Sequence, residues 1–208
     1  LLGLDGACVI RFSKPLDCFG NPVDEDGNSI DARGRVVDPV SYVRGPKGDV
    51  VRDSVRDAEY TRELGEKIVE SFKTDTVVMA THVVAAAAFE RLRKIVGKSD
   101  LFAILRHKDG AVVKRSELAN DVDALLVRLR AASDAGSVRV AEAIRQKNGA
   151  QVLADALRAF AGFHTKEVLS PRGQDLVLND TRLLFYYQNR LAAHGLGHAQ
   201  RIGGRQSQ

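Results

Sequence analysis

The 208 residues predict a mainly helical α+β protein, in which an N-terminal strand and a turn-rich hairpin region precede a helical domain containing one β-hairpin, in winged-helix-like order. Three observations carry that prediction. Turn-forming residues crowd the stretch from Phe19 to Arg52; apolar residues recur at helical spacing from Asp57 onward; and two short apolar segments flank Pro171-Arg172-Gly173 late in the chain.

The first element is a strand. Val9, Ile10 and Phe12 form a short apolar, partly β-branched run, Gly6 precedes it and Pro15 stops it, which gives about five residues of strand. One strand cannot fold alone. Because the chain opens with Leu1 directly before this run, the strand reads as the closing strand of a larger domain and the chain as a fragment.

From Phe19 to Arg52 the chain is punctuated by Gly20-Asn21-Pro22, Asp26-Gly27-Asn28, Arg33-Gly34, Asp38-Pro39 and Gly45-Pro46. Asp26-Gly27 is a hairpin signal with Val23 and Ile30 placed to pair across it. The acidic run Asp24-Glu25-Asp26-Gly27-Asn28 is similar to the start of a calcium loop, but its glycine comes too early and no glutamate closes it at the twelfth position. The change to helical periodicity sets a domain junction between Gly45 and Asp53. Residues 1–52 are therefore expected as terminal strand plus insertion, 53–195 as a helical domain and 196–208 as a disordered tail.

Within the helical part, Tyr60, Leu64, Ile68 and Phe72 recur every four residues over Asp57 to Lys73. Val77 to Val96 is a second, alanine-rich helix ended by Gly97. The run Leu101-Phe102-Ala103-Ile104-Leu105 fits a helix or a strand equally, and Asp109-Gly110 makes a turn. Ser116-Glu117 opens a helix with Leu118, Val122, Leu125, Leu126 and Leu129 at core spacing, stopped at Gly136. A further helix spans Ala150 to Phe160. Phe163 to Leu169 and Asp175 to Leu178 form the hairpin, and Asn179 or Asp180 caps a last helix that ends at Gly195.

Composition narrows the function classes. With 44% hydrophobic and 28% charged residues the chain is ordinary globular protein, and its net charge of +4 is spread among interleaved acids, which speaks against a nucleic-acid partner. Cys8 and Cys18 fit no zinc spacing, so no metal is expected. The least charged run, Thr74 to Phe89, falls short of the roughly 20 apolar residues a spanning helix needs. His82, inside that run, reads as a core histidine rather than a ligand or base, and Ser13 and Lys14 as a surface strand end, with a phosphate contact as the alternative. No Gly-x-Ser-x-Gly elbow occurs.

Two stretches carry a resemblance. Gly6-Ala7-Cys8-Val9-Ile10-Arg11-Phe12-Ser13-Lys14-Pro15-Leu16 resembles the "Phe-Gly-Glu-Pro" element that follows the core of the bacterial and mitochondrial glycerol-3-phosphate acyltransferases. The segment Asp180-Thr181-Arg182-Leu183-Leu184-Phe185-Tyr186-Tyr187-Gln188-Asn189-Arg190 resembles that family's C-terminal Tyr-Tyr-Arg-Asn segment, and the order of elements between them is similar, apart from a longer insertion at Phe19 to Arg52. The resemblance implies acyl transfer from acyl-CoA or acyl carrier protein to glycerol 3-phosphate, with no other cofactor, at the cytoplasmic side of a membrane surface. In that family a His-x-x-x-x-Asp pair supplies the general base and its orienting carboxylate, and a Phe-Pro-Glu-Gly motif helps bind the glycerol phosphate.

Neither motif is present. Five positions after His82, His107, His164, His194 and His198 stand Ala87, Val112, Leu169, Ala199 and Gly203. No catalytic residue is therefore assigned to this chain, and the implied partner is an N-terminal acyltransferase domain that holds the reacting groups. Tyr186 and Tyr187 beside Arg182 and Arg190 read as a packing face joined to a solvated one, with a lipid headgroup contact as the alternative. The competing reading is a winged-helix module from Ser116 to Leu178, with Arg128, Arg130, Arg139, Arg145, Lys147 and Arg158 as its basic surface, interrupted by Asp121, Asp123, Asp134, Glu142 and Asp155.

Overall fold

A computed structural model describes residues 9–97, 100–106 and 110–196. The described chain divides into two compact units, Ile10–Asp75 and a second that begins at Thr76.

The Ile10–Asp75 unit is built on a repeat whose signal lies in the sequence at a period of seven: Asp17, Asp24 and Asp31, each followed three residues later by Gly20, Gly27 and Gly34. In every copy the Asp carbonyl accepts the glycine N–H and the Asp N–H donates to the carbonyl of Asn21, Asn28 or Arg35. One carboxylate oxygen takes two further backbone N–H groups, from Phe19 and Asn21, Asp26 and Asn28, or Arg33 and Arg35. The other takes the Asn21 or Asn28 amide, or the Arg35 guanidinium. The three glycines have φ of 78°, 85° and 76°, a conformation a Cβ would strain. A degenerate fourth turn, Gly45 to Asp49, repeats the backbone bonds with Gly48 at φ 82°.

Strands in this unit are minimal: β1 (Ser29–Ile30) pairs antiparallel with β2 (Val36–Val37), and single bridges join Leu16 to Pro22 and Val23 to Ser29. Val23 thus pairs with Ser29, one residue from the expected Ile30, because the turn begins at Asp24. The strand expected over Val9 to Phe12 does not form. Ile10 is 75% and Phe12 93% exposed, and that stretch is held by Arg11 and Ser13 bonding the Asp75 carboxylate in place of a ladder. α1 (Ser54–Asp75) contains no buried residue. It falls in this unit, so the division comes after Asp75 and not between Gly45 and Asp53.

The second unit has an apolar core. α2 (Ala80–Val96) packs on α4, α6 and α7, and Val83, Val84, Ala85, Ala86, Ala87, Ala88, Phe89 and Leu92 are buried along it, the short alanines leaving room for three neighbours. It begins later than expected, because Val77–Val78 forms β3, parallel to β5 (Arg139–Val140). α3 (Leu101–Leu105) resolves the ambiguous apolar run as a helix, since the Asp100 carboxylate caps it at Phe102 and Ala103.

After α3 comes β4 (Ala111–Lys114), then α4 (Arg115–Asp134), the short α5 (Glu142–Arg145), α6 (Gly149–Phe163) and the hairpin β6 (Leu169–Arg172) and β7 (Asp175–Leu178). The three antiparallel strands lie in the order β4-β7-β6, with Val113 opposite Leu176 and Leu169 opposite Leu178. That strand order, with α4 to α6 between the first and second strands, is the winged-helix arrangement. Phe163 belongs to α6, so the hairpin starts at Leu169. α7 (Thr181–Ala192) is capped by Asp180, whose carboxylate accepts from Leu183 N–H at 2.9 Å. The expected tail beyond Leu196 lies outside the described residues.

Candidate functional site

The two faces of α7 bring together most of the chemistry-bearing residues of the helical unit. Its inner face carries Leu184, Gln188 and Leu191 into the core, with Tyr187 half-buried beside them. The Tyr187 ring meets Phe160 edge-on at 5.2 Å and lies 5.7 Å from His164 and 6.0 Å from His82. Its hydroxyl is 2.9 Å from His164 Nε2. Burial, with a smaller contribution from Tyr186, raises the Tyr187 pKa above its usual value.

His82 stands at the third position of α2 and its Nδ1 accepts the Met79 N–H at 3.1 Å, so this histidine serves the helix N-terminus. Burial, reinforced by the Arg190 charge, pushes its pKa down to about 4 and keeps the ring neutral. Among the described residues no carboxylate hydrogen-bonds either ring, and His82, Phe160 and His164 pack around Tyr187.

The outer face presents Arg182, Tyr186, Asn189 and Arg190 to solvent, with Tyr186 57% exposed. His194 lies half-buried just beyond the helix. His107, His198 and Cys8 lie outside the described residues.

The six cations of the competing basic surface are mostly turned to internal work. Arg130 donates to the carbonyls of Arg145 and Lys147 at 2.8 and 2.6 Å, closing the connection between α5 and α6. Arg145 pairs with Asp134 and Glu142, Lys147 and Arg158 both pair with Asp155, and Arg128 reaches the Gly195 carbonyl at 3.5 Å. Of the interleaved acids, Asp123 accepts the Gly149 N–H at 2.6 Å and Asp121, with Glu117, takes Arg91 across the α2–α4 contact.

In the Ile10–Asp75 unit, Phe19, Tyr42 and Tyr60 form a three-ring cluster with centroids 5.0 to 5.8 Å apart. It floors an open cleft of about 270 Å³ that Arg33, Glu63 and Lys67 also line. Lys67 reaches in to donate to the Gly20 carbonyl at 2.8 Å. Ser13, Lys14 and the exposed thiol of Cys18 border a second, more apolar groove with Leu16, Leu64, Ile68 and Phe72. The Asp24 carboxylate accepts hydrogen bonds from Asp26 and Asn28 inside its own turn.

Among the described residues, no group of three or more His, Cys, Asp or Glu is placed to hold a metal ion, and no helix is long and apolar enough to cross a membrane. The fold defines a mainly helical α+β protein whose second unit has winged-helix strand order. Compared with protein-family models, curated proteins and solved structures, the chain matches none.

Proposed function

We propose that this chain is the non-catalytic C-terminal region of a glycerol-3-phosphate acyltransferase, packing beside an acyltransferase domain that holds the His-x-x-x-x-Asp pair and lying peripherally on the cytoplasmic side of a membrane. The donor is acyl-CoA or acyl carrier protein, and the acceptor is glycerol 3-phosphate. The observation that carries the reading is the use made of the Tyr186-Tyr187-x-Asn189 segment, one of the two stretches on which the resemblance rests. Tyr187 is a packing residue in contact with His82, Phe160 and His164, so the segment is a structural signature and has no need of the family's reactive groups nearby. A scaffold role fits both the resemblance and the winged-helix order, since that fold can serve packing as well as nucleic-acid recognition.

The test is acylation of labelled glycerol 3-phosphate. Residues 1–208 alone give no lysophosphatidate with palmitoyl-CoA or palmitoyl acyl carrier protein, whereas the protein encoded by the whole gene does. Product from the isolated chain, or none from the whole gene product, overturns the proposal.

The strand order β4-β7-β6 favours a second reading as a nucleic-acid-binding module. Against it stand Arg130, Arg145, Lys147 and Arg158, which already have carbonyl or carboxylate partners. A duplex titration at 50 and 200 mM salt separates the two: neutralising several phosphates would weaken binding by orders of magnitude over that range, and the scaffold reading expects no such slope.

A further inference from the structure

We propose that the outer face of α7, extended by α3, is a docking surface for anionic phospholipid headgroups. This deepens the peripheral-membrane part of the function proposed above and rests on that part; the acyl-transfer assignment does not enter.

Arg182, Tyr186 and Arg190 stand at i, i+4 and i+8 and so follow one side of the helix, the two arginine Cα positions about 12 Å apart along its axis. All three are exposed. Several other arginines of the helical unit are engaged. Arg91, Arg93, Arg145 and Arg158 each pair with a carboxylate, and Arg130 is bonded to two carbonyls. Among the described residues Arg182 and Arg190 have neither, although Asp180 lies two residues from Arg182; that carboxylate caps the helix at Leu183.

α3 packs against α7 and adds two groups of the same character. Phe102 is 67% exposed, and the Arg106 guanidinium bonds the Phe102 carbonyl at 3.1 Å. Unpaired guanidiniums suit phosphate oxygens, which they can engage through two parallel N–H bonds. An exposed tyrosine and phenylalanine among them suit the headgroup level of a bilayer, where amphipathic rings collect. Three guanidiniums are fewer than the roughly six to ten cations a nucleic-acid groove brings to phosphates, and charge complementarity selects the anionic bilayer.

The experiment is co-sedimentation of the 208-residue chain with vesicles of phosphatidylcholine alone or of phosphatidylcholine and phosphatidylglycerol at 3:1, at 50 and 300 mM NaCl. The wild type binds the anionic vesicles, releases from them at high salt, and ignores the neutral ones. Arg182→Gln with Arg190→Gln weakens binding about 30-fold, Arg182→Lys with Arg190→Lys retains most of it, and Arg158→Gln, which removes a paired arginine of α6, changes nothing. Circular dichroism shows whether each variant is folded. Wild-type binding that the double glutamine variant keeps overturns this surface and leaves peripheral attachment standing. No binding to anionic vesicles overturns both. Tighter binding to duplex DNA than to vesicles, lost in the same double variant, overturns the assignment in favour of nucleic acid.

Discussion

The two units reach order by different physics. In the helical unit, α2 is surrounded by α4, α6 and α7, and large side chains such as Phe160, Leu126, Leu153 and Leu184 are fully buried. In the Ile10–Asp75 unit the only residues below a tenth exposed are Gly20, Asn21 and Ser29, and α1 buries nothing along 22 residues. Hydrophobic burial stabilises the first. The second depends on carboxylates that each satisfy several donors within one seven-residue turn, with Tyr60 and Lys67 of α1 contacting the array through the aromatic cluster and the Gly20 carbonyl. Apolar spacing along α1 is therefore poor guidance to burial: Phe72 continues the stripe of Tyr60, Leu64 and Ile68 yet is 67% exposed.

The largest expected effect that separates the units is Phe160→Ala. It empties a site with 0% exposure and removes the edge contact to Tyr187, costing about 4 kcal/mol in denaturant unfolding of the helical unit. Gly149→Ala follows. A Cβ there would lie 2.1 Å from the Ala119 carbonyl oxygen and 2.9 Å from the Asp123 nitrogen, so α4 and α6 must separate, at about 3 kcal/mol. An unchanged midpoint for either variant would remove the argument for a tight core.

Acid distinguishes the units by pH window. The folded-state pKa of His82 is lowered to about 4 from an ordinary value near 6.5, so the neutral ring's contribution is fully present above 6.5 and is lost as pH falls toward 4. Asp24 and Asp31 are held below the usual carboxylate range by the backbone and side-chain donors of Asn28 and Arg35. For Asp17, burial works in the opposite direction but the bonds from Asn21, Ser29 and Phe19 prevail. Their contribution is present above about pH 4 and disappears only as pH drops through their depressed values. Denaturation followed by near-ultraviolet absorbance of Tyr187 in the helical unit and of Tyr42 and Tyr60 in the turn array should thus lose stability first in the helical unit. His82→Gln, which can keep an acceptor near the Met79 N–H, flattens the 4 to 6.5 window. The smallest effect is that of Phe72→Ala, expected within about 0.5 kcal/mol of wild type because the ring is largely solvated.

Much of the helical unit was legible in the sequence because its periodicity and its caps agree. Leu118, Val122, Leu125, Leu126 and Leu129 are all buried, Asp180 caps α7, and Gly97 closes α2 at φ 66°. The strands were less so. β4 is four residues long and β3 and β5 are two each, too short to show alternation, and their pairing joins residues far apart in the chain. The aspartate repeat was legible but hidden by reading each turn singly; aligning the chain on itself at a seven-residue offset brings out Asp17, Asp24 and Asp31. Of the chemistry-bearing residues, His82 could be placed in a core from its apolar neighbours. The pairing of His164 with Tyr187 depends on tertiary packing that no local pattern encodes.

Hydrogen exchange of the native chain at pH 7, read by mass spectrometry on peptides from α1 and from α2, α6 and α7, tests most directly whether the two units are held by different forces. Amides of α2, α6 and α7 should exchange only through cooperative opening of the apolar core, while those of α1 should exchange through local opening, orders of magnitude sooner. Equal protection of α1 and α2 would contradict the account.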